Sequence, residues 1–261
     1  MGTLDIWMYF LSLLVLFVAQ FYVVVLWRFI VNSGKNKIGI KDAISIFYLS
    51  ALGRYIPGKV WQLVGLAMLS EGVGIESEIA ITSSLLSQSL SVITGILISA
   101  GTITLYVKWY FVIPLILLVL VFLYPPVFNK VLNFFSMKIR KKTLSMNISL
   151  VQELLLFLGY WVAWLLYGLS LFLLFKAFSL NIGLVRSIQF FAVSYLLGLF
   201  AVFVPGGLGV REGVLTLLLE KTGIATYLGS MISIFERLNI TLTEIILGLF
   251  GLFAFLLKRK S

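Results

Sequence analysis

Long stretches of apolar residues without a single charge dominate the sequence. They cover residues 6–27, 79–107, 109–129, 154–175 and 187–210. About 20 mainly apolar residues are enough for a helix to cross the hydrocarbon core of a bilayer. Strands of a transmembrane barrel would alternate apolar and polar residues, and these stretches do not. The pattern therefore predicts an all-α polytopic integral membrane protein.

Two apolar segments, 42–70 and 187–219, are interrupted along their length. The interrupting residues are Pro57 and Gly58 in the first segment, and Pro205, Gly206, Gly207 and Gly209 in the second. Proline removes a backbone donor and clashes with the preceding turn, and glycine tolerates sharp reversals. The sequence therefore predicts two broken hairpins, re-entrant or built from short helices, that each enter and leave on one side. The alternative is two pairs of short full spans.

The interruptions occupy matching places in two halves of the chain. Pro57 and Pro205 are 148 residues apart, and Gly74 and Gly223 are 149 apart. A long apolar span precedes each broken hairpin. These matches predict an inverted-topology repeat, a pattern that marks a transporter's binding site near the midplane. A single transmembrane domain (1–261) is expected to contain repeat 1 at about 4–107, a connecting helix and basic loop at 109–148, and repeat 2 at about 149–258.

Basic residues outnumber acidic ones by 20 to 10, which gives a net charge of +10. They cluster beside apolar stretches, at 35–41, 138–142 and 258–260. Because cytoplasmic loops carry the excess of Lys and Arg, the three clusters are placed on the cytoplasmic side. This predicts an N-terminus outside and a C-terminus inside. Clustering at helix ends also accounts for the basic charge without nucleic acid as a partner.

The chain contains no Cys and no His. Thiolate nucleophiles, imidazole bases, iron–sulfur clusters and zinc sites with Cys or His ligands are therefore excluded. Any chemistry would have to use carboxylates, Lys, Arg, hydroxyl groups or the backbone. No metal site, catalytic residue or cofactor is predicted.

Several charged residues lie at membrane depth, where a charge costs about 2.5–3.5 kcal/mol and is usually paired or faces a cavity. They flank the two interruptions or lie in the last apolar span, and one neutral residue matches them in the first half. The predicted headgroup site consists of Arg54, Lys59, Gln88, Arg211, Glu212, Glu236 and Arg237. Since guanidinium groups and helix N-termini both bind phosphate, these residues predict a polar cavity for an anionic headgroup. In the alternative interpretation, the opposite charges only neutralise each other as struts.

A stripe of small polar residues follows one face of the span 79–107 at helical spacing. It consists of Ser84, Gln88, Ser91, Gly95, Ser99 and Thr102. Small and hydroxyl-bearing residues let transmembrane helices approach closely. Apart from Gln88, the stripe is therefore interpreted as a helix-packing face.

Four segments resemble signatures of one known family. They are 53–61 (GRYIPGKVW), 71–74 (EGVG), 205–212 (PGGLGVRE) and the final helix 236–248. In this order they are similar to the lysylphosphatidylglycerol synthase transmembrane family, and the resemblance covers most of the chain. The resemblance implies the plasma membrane of a prokaryote. It also implies a central site formed by Arg54, Pro57, Gly58, Lys59, Pro205, Gly206, Arg211, Glu212, Glu236 and Arg237.

Members of that family include the flippase part of proteins that make and translocate aminoacylated phosphatidylglycerol, and stand-alone proteins linked to polysaccharide or glycolipid synthesis. The expected function is that of a flippase-like protein that translocates or binds an anionic phospholipid or polyprenyl phosphate. The 261 residues hold no soluble aminoacyl-transferase domain, so synthase activity is not expected. Two alternatives stay open. One is a membrane-embedded enzyme acting on a lipid-linked substrate, with Glu212 or Glu236 as general base. The other is a non-transporting partner of a glycosyltransferase.

Overall fold

The computed structural model of the chain describes residues 4–34, 37–56, 61–103, 130, 148–201 and 204–258. Within these ranges the backbone is helical apart from short connections, and no strand occurs. Among the described residues, three helices are long and apolar enough to cross a membrane, namely Ile6–Val31, Ser77–Thr102 and Leu150–Ala177. The predicted fold class, an all-α membrane protein, is confirmed.

The described helices form two units of the same design. The first unit consists of α1 (Ile6–Val31), α2 (Ile40–Ala51), α3 (Trp61–Glu71) and α4 (Ser77–Ile103). The second consists of α5 (Leu150–Ala177), α6 (Leu184–Phe200), α7 (Val210–Glu220) and α8 (Thr226–Lys258). A 3-10 turn follows the second helix of each unit: turn 1 is Leu52–Tyr55, and turn 2 is Pro205–Gly207. The connecting segment predicted at 109–148 lies almost entirely outside the described residues.

Polar side chains mark the beginnings of α1 and α5. The Asp5 carboxylate accepts hydrogen bonds from the backbone amides of Trp7 and Met8 at 3.0 and 3.1 Å. Ser149 and Gln152 cap α5 reciprocally, each side chain bonding the backbone amide of the other residue. These caps satisfy amides that have no partner within the helix, so both spans begin at a defined residue.

The backbone repeats itself where α3 and α7 end. Gly74 and Gly223, 149 residues apart, adopt φ values of +79° and +87°, a conformation that favours glycine. After each helix a backbone amide donates to the carbonyl five residues earlier. The Ile75 amide donates to Ser70 at 3.0 Å, and the Ile224 amide donates to Leu219 at 3.3 Å. This is the helix-ending arrangement in which a left-handed glycine satisfies the last carbonyls. The register predicted from the glycines is thus present in the hydrogen bonds.

The two units run in opposite directions. At one end of the α1–α5 contact, the Asp5 amide donates to the carbonyl of Ala177 at 2.9 Å. Further along, the hydroxyls of Ser12 and Ser170 are 3.2 Å apart, and at the other end Leu26 packs against Gly159. The beginning of α1 therefore meets the end of α5, and the two helices are antiparallel. Because they open corresponding units, this arrangement agrees with an inverted repeat, which stays a prediction together with the side that faces the cytoplasm.

Each interrupted segment folds back on itself as a hairpin. In the first, Gly53 lies against the backbone of Gln62, where a Cβ atom would come within 2.6 Å of the amide nitrogen. In the second, a Cβ on Gly207 would lie 2.7 Å from the carbonyl oxygen of Gly198. Helices α2, α3 and α7 have 11 or 12 residues, which is about 16–18 Å at 1.5 Å per residue. Such lengths are well short of a bilayer core of about 30 Å, whereas α6 has 17 residues. The choice between hairpins and pairs of full spans therefore stays a prediction.

The hairpin of each unit contacts the last helix of the other unit. Ser45 of α2 donates to the carbonyl of Gly251 in α8 at 2.7 Å, and Thr102 of α4 donates to Gln189 of α6 at 3.0 Å. Turn 1 and turn 2 contact each other as well. Each unit thus packs its hairpin against the last helix of the other. This brings both turns to the centre of the molecule.

A close helix contact gives a first testable prediction. A methyl group on Gly168 of α5 would lie 2.5 Å from the Cα of Ile188 in α6, so Gly168→Ala is expected to force the helices apart and cost about 1–3 kcal/mol. The matched control is Gly248→Ala, because the space around Gly248 is open. Thermal unfolding in detergent measures both variants. A melting temperature for Gly168→Ala at or above that of Gly248→Ala would contradict the packing described here.

Candidate functional site

A cavity of about 350 Å³ lies between the two units, next to both turns. This volume is at the lower end of the range of ligand pockets, about 300–1,000 Å³. Its charged lining residues are Arg54, Arg211, Arg237 and Glu244. Its neutral polar lining residues are Gln20, Tyr48, Gln62, Ser84, Ser87, Gln88, Ser91, Tyr160, Tyr167 and Tyr195. Apolar residues such as Val23, Phe47 and Leu63 complete the lining, so the cavity is a partly polar space inside a largely apolar membrane protein.

Arg54 joins turn 1 to α8. Its Nε donates to the carbonyl of Ala51 at 3.0 Å, and its Nη1 lies 3.0 Å from Oε1 of Glu244. The neighbouring Tyr55 hydroxyl donates to the other oxygen of Glu244 at 2.9 Å. The carboxylate of Glu244 thus holds two consecutive residues of turn 1 against α8.

Arg237 joins turn 2 to the same helix. Its Nη2 donates to the carbonyl of Gly206 at 2.9 Å, and its Nε lies 3.4 Å from Oε1 of Glu212. Glu212 also accepts from the Gly209 amide at 2.7 Å, which caps the start of α7. The guanidinium lies 5.7 Å from the ring centre of Tyr55. Both turns are consequently fastened to α8, which extends along the cavity.

Arg211 and Glu236 form the most deeply buried ion pair among the described residues. Their atoms Nη2 and Oε1 are 2.7 Å apart, and only 7% and 6% of the two side chains are exposed. The guanidinium also lies over the rings of Phe191 and Tyr195, at 4.8 and 5.4 Å from their centres. Cation–π contacts are strongest when the groups are desolvated. The rings and the carboxylate together compensate for the burial of this charge.

Each of the three arginines keeps one terminal nitrogen without a partner among the described residues. These nitrogens are Nη2 of Arg54, Nη1 of Arg211 and Nη1 of Arg237. An arginine carries five N–H donors, so a carboxylate and a carbonyl do not exhaust it. The same side chains can therefore hold the fold together and donate to a ligand in the cavity.

The family model described as "Lysylphosphatidylglycerol synthase TM region" matches residues 3–248 of the chain. The chain belongs to this family. No curated protein and no solved structure matches it. The matched region contains both turns, both hairpins and all three ion pairs, so the whole cavity lies within the part that defines the family. Membership in the family indicates a membrane protein with a lipid-related function.

The predicted site residues fall into four groups. Arg54, Gln88, Arg211 and Arg237 line the cavity, as do the turn glycines Gly206 and Gly207. Glu212 and Glu236 contact lining arginines through the ion pairs described above. Of the remaining predicted backbone residues, Pro205 opens turn 2 and Gly209 precedes α7. Lys59, Pro57 and Gly58 lie outside the described residues.

Several cavity residues were not predicted. Glu244 lies seven residues after Arg237 on one helix face, so the spacing alone could have included it. The tyrosines give no comparable signal, because a neutral aromatic residue in an apolar helix resembles ordinary core.

The packing interpretation of the α4 stripe is correct for Gly95, which lies against Trp164, and for Thr102, which bonds Gln189. It is wrong for Ser84 and Ser91, which line the cavity. The stripe therefore changes role along its length, because only its first half borders the open space.

Proposed function

We propose that this protein translocates an anionic lipid, either a phospholipid or a polyprenyl phosphate, across the membrane. The headgroup would sit in the central cavity while the apolar chains stay in the bilayer. The observation that carries the proposal is the set of three arginines around one cavity, each with a free terminal nitrogen. Guanidinium groups match phosphate oxygens in charge and in geometry, and these three come from turn 1, α7 and α8.

The inverted repeat supports transport over simple binding. In inverted-repeat transporters, the substrate site lies where the interrupted segments of the two repeats meet, and rocking of one repeat against the other exposes it to alternate sides. Here the two turns meet beside the cavity and belong to units that run in opposite directions. A volume of about 350 Å³ suits a headgroup and leaves no room for the chains of a whole lipid.

Reconstitution into liposomes tests the proposal. The lipid is phosphatidylglycerol with a fluorescent label on one acyl chain, and external dithionite quenches this label only in the outer leaflet. Loss of fluorescence beyond the share of the outer leaflet therefore measures flipping. Arg54→Gln is expected to slow flipping about 10- to 100-fold, the range for one charge-assisted hydrogen bond. Arg54 suits this test because its side chain is 30% exposed and Glu244 keeps its bond to Tyr55.

The matched control is Arg186→Gln, which removes an exposed arginine near the start of α6 and is expected to flip at the wild-type rate. The same assay with a polyprenyl phosphate, scored by a phosphatase added outside, separates the two lipid classes. Wild-type protein that flips neither lipid above the rate of empty liposomes would refute the proposal. Equal rates for Arg54→Gln and Arg186→Gln would remove Arg54 from the site.

A further inference from the structure

We infer that Glu153 binds and releases a proton in each transport cycle, which couples lipid flipping to a proton gradient. The inference rests on the proposed function and adds a driving force to it. Glu153 lies in the first turn of α5, outside the cavity lining. Seven residues further along the same helix face, Tyr160 lines the cavity. Two helical turns, about 10 Å, thus separate Glu153 from the cavity.

The carboxyl group of Glu153 is buried and unpaired. The residue is 2% exposed, and neither side-chain oxygen has a hydrogen-bond partner among the described residues. Glu236 and Glu244, two buried acidic residues of α8, each pair with an arginine. An ionised carboxylate without a partner is very costly to bury, so a group in such a position takes up a proton instead. The conformation described here therefore favours the neutral carboxyl.

A purely structural role does not explain why residue 153 is acidic. An acidic residue in the first turn of a helix can stabilise the positive end of the helix dipole. That effect requires the ionised form, which the burial of Glu153 disfavours, and the start of α5 is already capped by Ser149 and Gln152. An apolar residue would fill the same space without the cost of burying a carboxyl group. What a carboxyl group offers in addition is a change of protonation state.

Helices α4 and α5 lie side by side in the same direction. The hydroxyls of Ser87 and Tyr160, 73 residues apart, are hydrogen-bonded to each other. One turn further along, the indole nitrogen of Trp164 donates to the Thr94 hydroxyl at 3.0 Å, across 70 residues. Because both offsets are similar, the contact keeps one register along the two helices.

This register places a second unpaired polar group at the level of Glu153. At an offset of 70, Glu153 corresponds to Ser83, which is fully buried and whose hydroxyl has no partner among the described residues. Ser83 precedes Ser87 by four residues and therefore shares its helix face. Hydroxyl groups both donate and accept hydrogen bonds, so they can pass a proton on. Glu153, Ser83 and the Ser87–Tyr160 pair thus follow one line from the beginning of α5 to the cavity.

Other titratable groups near this level do not replace the proton. On α1, which runs antiparallel to α5, they are Tyr22 and Arg28, and on α4 the acidic group is Glu78. The Nε of Arg28 donates to the carbonyl of Ile38 at 2.8 Å, and Glu153 bonds none of these groups. A second acidic group only adds to the cost of ionising Glu153. Helices α6 and α8 contact α5 further along its length.

A proton gradient can drive a cycle only when two conformations bind the proton with different affinity. The conformation described here encloses Glu153 and so holds the proton. A conformation that admits water between α4 and α5 would hydrate the carboxylate and release it, because hydration removes the cost of the charge. Rocking of one unit against the other changes such contacts between helices. The protonation of Glu153 is therefore linked to the same motion that moves the lipid.

Liposomes with a pH difference test the coupling at equilibrium. Labelled phosphatidylglycerol is added in trace amounts to both leaflets, and potassium with valinomycin holds the membrane potential at zero. With one proton per lipid, a difference of about one pH unit should enrich the lipid about tenfold in one leaflet. Dithionite measures the final distribution, and protein-free liposomes give the background. The leaflet that gains lipid tells whether lipid and proton move in the same direction.

Glu153→Gln is expected to abolish the enrichment, so that the label ends equally distributed, because an amide cannot release a proton in this range of pH. The matched control is Glu76→Gln, which removes an exposed carboxylate just before α4 and should keep the tenfold enrichment. Infrared spectra provide a readout that does not depend on flipping. At neutral pH the wild type is expected to show the carbonyl band of a protonated carboxyl group, and Glu153→Gln is expected to lack it.

The results separate this inference from the proposed function. Wild-type protein that flips lipid but distributes it equally under the pH difference overturns the coupling and leaves flipping intact. Identical carboxyl bands in the wild type and Glu153→Gln also overturn it, even when the variant does not flip. If that variant does not fold, Glu153→Asp should shift the band, and an unshifted band overturns the inference. Wild-type protein that does not flip lipid under any gradient refutes the proposed function and the coupling with it.

Discussion

Arg211→Leu is expected to lower the free energy of unfolding by about 3–5 kcal/mol, because it leaves the Glu236 carboxylate buried without its cation. Glu236 is 6% exposed, and its bond to Arg211 is the only hydrogen bond of its side chain among the described residues. The leucine would keep part of the contact with Phe191 but no charge. Unfolding in mixed micelles, followed by circular dichroism, measures the loss.

Arg54→Leu provides the comparison for this experiment. Its carboxylate partner, Glu244, retains the hydroxyl of Tyr55 at 2.9 Å, and the arginine side chain is 30% exposed. Because Glu244 is itself only 9% exposed, the loss is expected to exceed the value of about 1 kcal/mol for a solvent-exposed pair and to stay below that of Arg211→Leu. If the two substitutions cost the same, burial does not control the strength of these pairs and the account of the Arg211 site fails.

The repeat could be predicted because its backbone needs particular residues. Gly74 and Gly223 sit at positive φ, where a side chain is strained, so the same residue recurs 149 positions later. Gly207 has no room for a Cβ beside Gly198. Such backbone requirements are local, so they can be recognised in a single sequence.

The cavity could be predicted only in part, for an equally physical reason. A charge at membrane depth is costly wherever it lies, so Arg54, Arg211 and Arg237 stand out in the sequence. Which carboxylate pairs with which arginine depends on how the helices cross, and no spacing rule joins Arg54 to Glu244 across 190 residues. Neutral lining residues, such as Ser84, carry no energetic cost that would distinguish them in the sequence.

The ion pairs also bring the two interpretations of the charges together. Glu212 and Glu236 do neutralise arginines, as the strut interpretation expects. The free terminal nitrogens of the same arginines meet the requirement of the binding interpretation. Structural and ligand-binding roles can be combined in one guanidinium because its donors point in several directions. Separating the two roles requires a variant that keeps the fold and removes the donor.

Arg211→Leu/Glu236→Leu is that variant, and it is expected to be stable and inactive. Replacing both members of a buried ion pair with apolar residues of similar volume is often neutral or stabilising, so the double variant should unfold within about 1 kcal/mol of the wild type. Its rate of phosphatidylglycerol flipping should nevertheless fall about 30-fold or more, because losing a desolvated charged contact costs about 2–5 kcal/mol. Unfolding in micelles and the dithionite assay measure the two quantities on the same preparation.

The combination of results assigns the role of Arg211. A double variant that is stable and flips lipid at the wild-type rate would show that Arg211 is a strut and nothing more, and the headgroup would have to be held by Arg54 and Arg237. A double variant as unstable as Arg211→Leu alone would mean that the unpaired Glu236 carboxylate does not cause the instability of Arg211→Leu. Arg186→Leu, an exposed position on α6, controls for the loss of a positive charge in general. If Arg211 binds phosphate in the cavity, the double variant is stable and does not flip lipid.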